Sequence, residues 1–268
     1  MIYVRDKGRM CNNILQFGHV YAWAREHGRS AVSMRFCYKY NYFAICDMPR
    51  HNFPTYLFAK YAAKLGLLPV AAFHCPDGNP EAMALLESRK NLVVEGWEVR
   101  FYDLFIKYLN EIRRLFAFKP HIYEALKSCL ELPKGCSIRL GLHIRRGDYR
   151  TWCGGKYFYA DEVYVAYVRH LASLHPGERI VVYVCGNDPA LDKDYYTSSL
   201  PEVEVRFPQG NPGEDLCLLS QCDYLIGPPS TFTLVASMYH DTPLCWMETA
   251  DARQMAFGHF DELFRNIR

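Results

Sequence analysis

The sequence predicts an α/β protein of two domains, and three observations predict it. Strand-like and helix-like segments alternate along the chain. Some strand segments are nearly continuous apolar runs, as happens when helices cover both faces of a parallel sheet. The alternation breaks at Pro133-Lys134-Gly135, a turn-forming tripeptide, and then resumes. A chain of 268 residues is long enough for roughly two domains. Half of it is apolar and 22% is charged, so it should bury a core rather than stay disordered.

The elements follow in order. Residues 2–5 form a short apolar strand. Residues 13–27 form a helix, because Ile14, Phe17, Gly18, Tyr21 and Ala22 recur on one helical face. Residues 31–34 are a second strand, and 35–52 are aromatic-rich and irregular. Residues 53–65 and 80–89 are helical, and 92–95 are a strand that stops at Gly96-Trp97. Residues 102–117 form a long helix through Leu104, Phe105, Tyr108, Leu109, Ile112 and Leu115. Pro120 suits a first helical turn and opens a helix to about residue 132. In the second series, 138–143, 180–185, 203–207, 224–227 and 244–247 are strands. Helices fill 161–175, 216–222 and 231–239. The tail closes with Phe260, Leu263, Phe264 and Ile267 at i, i+3, i+4, i+7 spacing. Two such series give two Rossmann-like domains, 1–133 and 134–268, facing each other across a cleft.

Composition excludes several classes. The net charge of +2 leaves no dominating basic stripe of the kind nucleic-acid binding needs. Lys107, Arg113, Arg114 and Lys119 read first as the wet side of a helix, and second as a weak attraction to an anionic membrane surface. The 11 cysteines are an odd number scattered among apolar neighbours, which suits free thiols in a reducing compartment. Cys217 and Cys222 have no second pair or nearby His to complete a zinc site. The amino terminus reads as a strand rather than a signal peptide, and no apolar run is long enough to span a bilayer. The expected location is the cytoplasm.

Three constellations could carry chemistry. Gly8-Arg9-Met10-Cys11-Asn12-Asn13 lies between the first strand and first helix. There Asn12 can cap the helix, and free N–H groups can meet an anion. A plain strand-to-helix turn explains it as well. The second is His143-Ile144-Arg145-Arg146-Gly147-Asp148, at the end of a buried strand. Ligands of open α/β sheets bind at that edge, and Arg offers a planar fork to phosphate oxygens. A solvated strand end would look similar, and the Arg-Gly-Asp letters inside it carry no adhesion function after a buried strand. The third is the stretch 214–233, in which Asp215 opens a helix and Ser230-Thr231 begin the next one after Gly227-Pro228-Pro229. These are simple caps or an anion seat. Gly186, Asn187 and Asp188 end another strand, where a nucleoside could reach Asn187 and Asp188. Asp192-Lys193-Asp194 has the spelling of a metal-binding pair, but two residues apart on a helix point in different directions. His74, His121, His170 and His259 are scattered.

Taken in this order, these stretches resemble the GDP-fucose-dependent fucosyltransferases, most of all the bacterial α-1,2-fucosyltransferase family. Gly8, Asn12 and Gln16 match its G-x-x-x-N-x-x-x-Q turn, and His143, Arg145, Arg146 and Asp148 match H-x-R-R-x-D. Residues 214–223 resemble E-D-L-x-L-M-S-x-C, and 96–97 with 112–118 resemble two further stretches. The resemblance implies a two-domain GT-B-type glycosyltransferase fold, with an acceptor-side domain over 1–133 and a nucleotide-sugar-binding domain over 134–268. It implies Arg145 on the β-phosphate, His143 and Asp215 on guanine, Ser230 and Thr231 on the diphosphate, and the turn at Gly8, Arg9 and Asn12 approaching the pyrophosphate from the other domain. The family's tryptophans near residue 230 are absent, and Gly96-Trp97-Glu98-Val99 lacks its Gln. These departures leave the nucleotide reading intact and fall where the family pattern bears on acceptor and linkage.

The chemistry implied is inverting transfer of fucose from GDP-fucose to a glycan hydroxyl, through an oxocarbenium-like state, with α-1,2 linkage. An Arg that neutralises the departing phosphate replaces a metal, so the expected metal and cofactor set is empty beyond the donor. A carboxylate should deprotonate the acceptor, with Asp148, Glu98 and Asp161 as candidates. The rival readings are a catalytically silent nucleotide-sugar or glycan binder, an RNA-binding α/β protein, and a transferase with another sugar donor.

Overall fold

The computed structural model describes residues 1–186 and 188–267. The chain divides into two compact units, the first Met1–Lys119 and the second beginning at Pro120. In the first, the elements run β1 (Ile2–Val4), α1 (Met10–Glu26), β2 (Ala31–Ser33), α2 (Phe36–Lys39), α3 (Phe53–Lys64), β3 (Val70–Ala72), α4 (Pro80–Ser88), β4 (Leu92–Glu95), α5 (Tyr102–Lys107) and α6 (Leu109–Leu115). The strands pair in parallel in the order β2-β1-β4-β3, with Ile2 facing both Ala31 and Leu92. Ile2, Val4, Val93 and Val94 are buried, as strands covered on both faces must be.

Local chemistry explains where this unit departs from expectation. α1 begins at Met10 rather than 13, so Asn12 lies inside its first turn and does not cap it. The aromatic stretch 35–52 contains α2 and a 3₁₀ turn at Ala44–Asp47. β3 is a three-residue edge strand that follows Pro69, too short to show a period of two. The expected helix over 102–117 is broken at Tyr108, which lies outside helical geometry at φ −101° and ψ 14°.

The second unit runs α7 (Pro120–Leu130), β5 (Ile138–Ile144), α8 (Asp161–Leu174), β6 (Ile180–Gly186), α9 (Lys193–Ser199), β7 (Glu204–Arg206), α10 (Pro212–Ser220), β8 (Tyr224–Gly227), α11 (Thr231–His240), β9 (Leu244–Trp246) and α12 (Phe260–Arg265). Its strands are parallel in the order β7-β6-β5-β8-β9. The expected boundary at residue 133 moves to 119/120, because α7 packs on α10 of the second unit. The turn at Pro133-Lys134-Gly135 is thus a loop inside a unit. α12 buries Phe260 and Phe264, stacked at 5.0 Å, which explains the periodic tail.

α10 is opened by Asn211, not Asp215. The Asn211 side chain accepts from Gly213 N at 2.9 Å, and the Glu214 carboxylate reaches back to Asn211 N at 3.1 Å. That leaves the Asp215 carboxyl free of capping duty. No disulfide joins cysteines among the described residues, and burial pushes the Cys217 thiol up to about 12 and Cys245 to about 11. These thiols are packing groups.

Candidate functional site

The carboxyl edge of the second sheet gathers the residues of the candidate site. His143 is the next-to-last residue of β5, buried and stacked on Phe232 with ring centroids 5.1 Å apart. Burial, followed by the charge on Arg145, pushes its pKa down to about 3, so the ring is neutral. Its Nδ1 has no hydrogen-bond partner among the described residues. Gly227, at the end of neighbouring β8, lets the strands close up here. A Cβ at that position would lie 2.9 Å from the His143 carbonyl oxygen. The chain then turns into α11, where the Ser230 Oγ accepts from Phe232 N at 3.1 Å and Thr231 begins the helix. The expectation of an N-cap is met at Ser230.

The two arginines after β5 are held differently. Arg145 donates from Nε and Nη2 to the two carboxylate oxygens of Asp148, each at 2.9 Å, and its guanidinium lies 5.3 Å from the Tyr149 ring centre. Asp148 is 47% exposed at its side chain while Arg145 is 14% exposed, so the pair sits at a surface rather than in the core. A carboxylate with both oxygens taken by a guanidinium is a poor proton acceptor. Asp148 therefore orients Arg145, and its expected role as a base gives way to that one. Arg146 has less exposed partners, donating to Asp188 at 3.0 Å and to Asp161, which also accepts from the Tyr196 hydroxyl. Asp161 is thereby also occupied, and Arg146 is the brace that joins the ends of β5 and β6. Arg146→Ala should destabilise the fold by about 2–4 kcal/mol, since it strands two partly buried carboxylates. Urea unfolding at pH 7 checks this.

Two cavities share Asp188 and Pro189. One, of about 320 Å³, is lined by Arg146, Gly147, Arg150 and Phe158 as well. The other, of about 240 Å³, is lined by Ile144, Gly186, Lys193, Phe207, Gly210 and Asp215, among others. Its lining includes the Phe207 ring, the Lys193 ammonium 5.7 Å from that ring's centre, and Asp215. Burial, then the nearby Glu214 charge, raises Asp215 to about 6. The chemistry fits a planar, polar-edged ring with N–H donors. Lys193 and Phe207 were missed in the sequence. Lys193 sits inside a decoy motif, and an isolated Phe after a short strand gives no signal. Phe232 was likewise invisible as the partner of His143. Asn187, an expected contact beside Asp188, lies outside the described residues.

In the first unit, Gly8 adopts φ +77°, and a Cβ there would lie 2.8 Å from Asn12 Nδ2. Arg9 is exposed, and Asn12 is half-buried. The neighbouring Asn13 takes the structural role, its Oδ1 accepting from Lys7 N at 2.6 Å. Gln16 donates to Arg5 O at 3.1 Å and Gly96 O at 3.0 Å, which ties the ends of β1 and β4 together. Glu98 lies 3.8 Å from Arg100, whose guanidinium covers the Trp97 ring at 4.4 Å. Among the described residues, the Glu98 carboxylate enters only this long ion pair.

The other sequence features resolve as structural. Asp192 caps α9, accepting from Tyr195 N at 3.0 Å. Lys107 pairs with Glu26 at 2.6 Å and Lys119 with Asp47 at 2.7 Å, so these members of the basic cluster are already neutralised. Among the described residues, no three His, Cys, Asp or Glu side chains gather as an ion site. No helix among them is long and apolar enough to cross a membrane.

No family model matches the sequence. The chain is 24% identical over 257 residues to the mouse (Mus musculus) galactoside 2-alpha-L-fucosyltransferase Sec1, covering 88% of this chain and 64% of that protein. It thus spans less than two thirds of that relative's length. Among solved structures, a mutant Arabidopsis thaliana FUT1 in complex with GDP superposes with a TM-score of 0.66 at 13% identity, over 96% of this chain and 73% of that one. The fucosyltransferase NodZ from Bradyrhizobium gives 0.60 at 17% identity, over 97% and 98%. POFUT1 in complex with GDP-fucose gives 0.57 at 13%, over 90% and 93%. The fold is the GT-B-type α/β architecture expected from the sequence, with two parallel-sheet units.

Proposed function

We propose that this chain is a glycosyltransferase that moves fucose from GDP-fucose to a hydroxyl of a glycan acceptor, inverting the anomeric centre, without a metal, and forming an α-1,2 linkage. The observation that carries the reading is the meeting, at one sheet edge, of Arg145 clamped by Asp148, the α11 amino terminus at Ser230 and Thr231, and neutral His143, with the Asp215 cavity at the end of β6 beside them. Fucosyltransferases similar in fold are named as complexes with GDP and GDP-fucose, and the relative in sequence is named for 2-linkage.

In this reading guanine enters the cavity beside Phe207, and the Asp215 carboxylate accepts from its N–H edge. Ser230, Thr231 and the first N–H groups of α11 take phosphate oxygens. As the bond from C1 of fucose to the phosphate oxygen breaks, negative charge grows on the β-phosphate. Arg145, fixed by Asp148, meets that charge without reorganising. The acceptor oxygen forms the new bond to C1 and gives its proton to a carboxylate. Asp148, Glu98 and Asp161 are the candidates for that base, and the arginine pairing of Glu98, at 3.8 Å, is the loosest of the three. The buried free thiols support a cytoplasmic setting.

Calorimetry of GDP, GDP-fucose and UDP tests the donor class. GDP should bind at least about a hundredfold more tightly than UDP, as expected when a pyrimidine leaves a buried carboxylate unpaired. Equal affinities would remove the guanine assignment. Release of labelled fucose to water or to a galactoside separates a transferase from a silent binder.

A further inference from the structure

Helix α3 of the first unit is built inside out. A surface helix of a globular protein turns its large apolar residues inward and its polar ones to water. Here the buried positions are Ala59 and Ala62, which pack with Met34, Leu68 and Val93 over the sheet. The large side chains Phe53, Phe58 and Tyr61 face outward, and Leu65 and Leu67 continue the face in the following turn. Phe58 is 58% exposed, Leu65 72% and Leu67 74%. Tyr38 extends the patch, its ring 5.5 Å from Phe53 and 5.4 Å from Tyr56. Contiguous exposed apolar surface of this kind marks an interaction site.

Charge says what covers it. Residues 48–76 contain Arg50, Lys60 and Lys64 and no acidic residue. Lys60 and Lys64 are exposed in the middle of the apolar face, with Lys60 Nζ 5.6 Å from the centres of both the Tyr56 and Tyr61 rings. Unlike Lys107 and Lys119, neither lysine takes part in an ion pair among the described residues. A second copy of the chain would bring the same lysines against each other across a twofold interface, which like-charge repulsion opposes. An anionic lipid surface matches both properties. Its headgroups neutralise lysines, and its interfacial layer takes up Phe, Leu and the amphipathic ring of Tyr.

We propose that the outward face of α3, with Leu65 and Leu67, seats the protein on an anionic membrane surface. The proposal is independent of the reaction, since none of these residues belongs to the candidate site. The test is co-sedimentation of the full chain with vesicles of phosphatidylcholine alone, and of phosphatidylcholine with roughly one third phosphatidylglycerol. Binding should be confined largely to the anionic vesicles and fall with salt. Lys60→Gln with Lys64→Gln should weaken it about thirtyfold, near a factor of five per lysine. Phe58→Ser with Leu67→Ser should weaken it by at least tenfold. GDP affinity and the circular dichroism melting curve, measured on the same variants, should not change. Equal binding to both vesicle types, or undiminished binding by either variant, overturns the proposal. So does a self-associated species in analytical ultracentrifugation that Phe58→Ser with Leu67→Ser dissolves, because that makes the face an interface between copies.

Discussion

Arg145→Ala should lower the rate of fucose transfer by about 10²–10³ while the protein stays folded, as when one fixed donor to a developing anion is lost. GDP affinity should fall less, by about ten- to a hundredfold, the range of one charge-assisted contact. The split matters because, in the proposed reaction, the guanidinium acts most strongly on charge that appears only as the bond breaks. Stability should barely change, because the partner left behind, Asp148, is half exposed and can hydrate. Arg145→Lys should rescue little. Lysine keeps the charge but not the fork that engages both oxygens of Asp148 at 2.9 Å. Single-turnover transfer beside calorimetry of GDP checks both halves. A variant with full activity removes Arg145 from the reaction.

Asp215→Asn should change both nucleotide choice and pH dependence. With its pKa raised to about 6, the Asp215 carboxyl is ionised only above that pH, and in the proposed reading only then accepts from guanine. GDP affinity in the native protein should therefore fall as pH drops below 6, approaching tenfold per unit, and the Asn variant should lose this dependence together with most of its preference for GDP. The stability effect has the opposite sense. A carboxyl whose folded pKa lies above its unfolded value near 3.8 favours folding at low pH, and that contribution is lost as pH rises through about 6. Above pH 6 the empty site carries a strain on the order of 3 kcal/mol, so Asp215→Asn should raise the melting temperature at pH 7.5 much more than at pH 4.5. Unchanged GDP binding across pH 5–7.5 in the native protein would detach Asp215 from the base.

Much of this was legible in the residues. The second sheet was readable because β5 and β6 are apolar on both faces, and the strand-end cluster followed from where β5 must stop. The cap at Ser230 was readable from residue type. What escaped was set by partners distant in sequence. Asp148 looked like a base until its two oxygens were found on Arg145, and Asp161 until it was found beneath Arg146. Asp215 looked like a cap, but Asn211 takes that place and leaves the carboxyl to the cavity. The boundary was misplaced because proline and glycine mark a turn without saying which helix packs where, and α7 belongs with α10. β3 was too short, and too close to Pro69, to register as a strand.

The strand order has a consequence for how the protein is made. In each unit the first strand to leave the ribosome flanks partners on both sides, β1 between β2 and β4, β5 between β6 and β8. Ile2 must wait for Leu92, and Leu140 for Tyr224, before the second edge of its strand is covered. During synthesis both central strands stand with an open edge for tens of residues, so nascent chains halted just short of β4 or β8 are the species most in need of a chaperone.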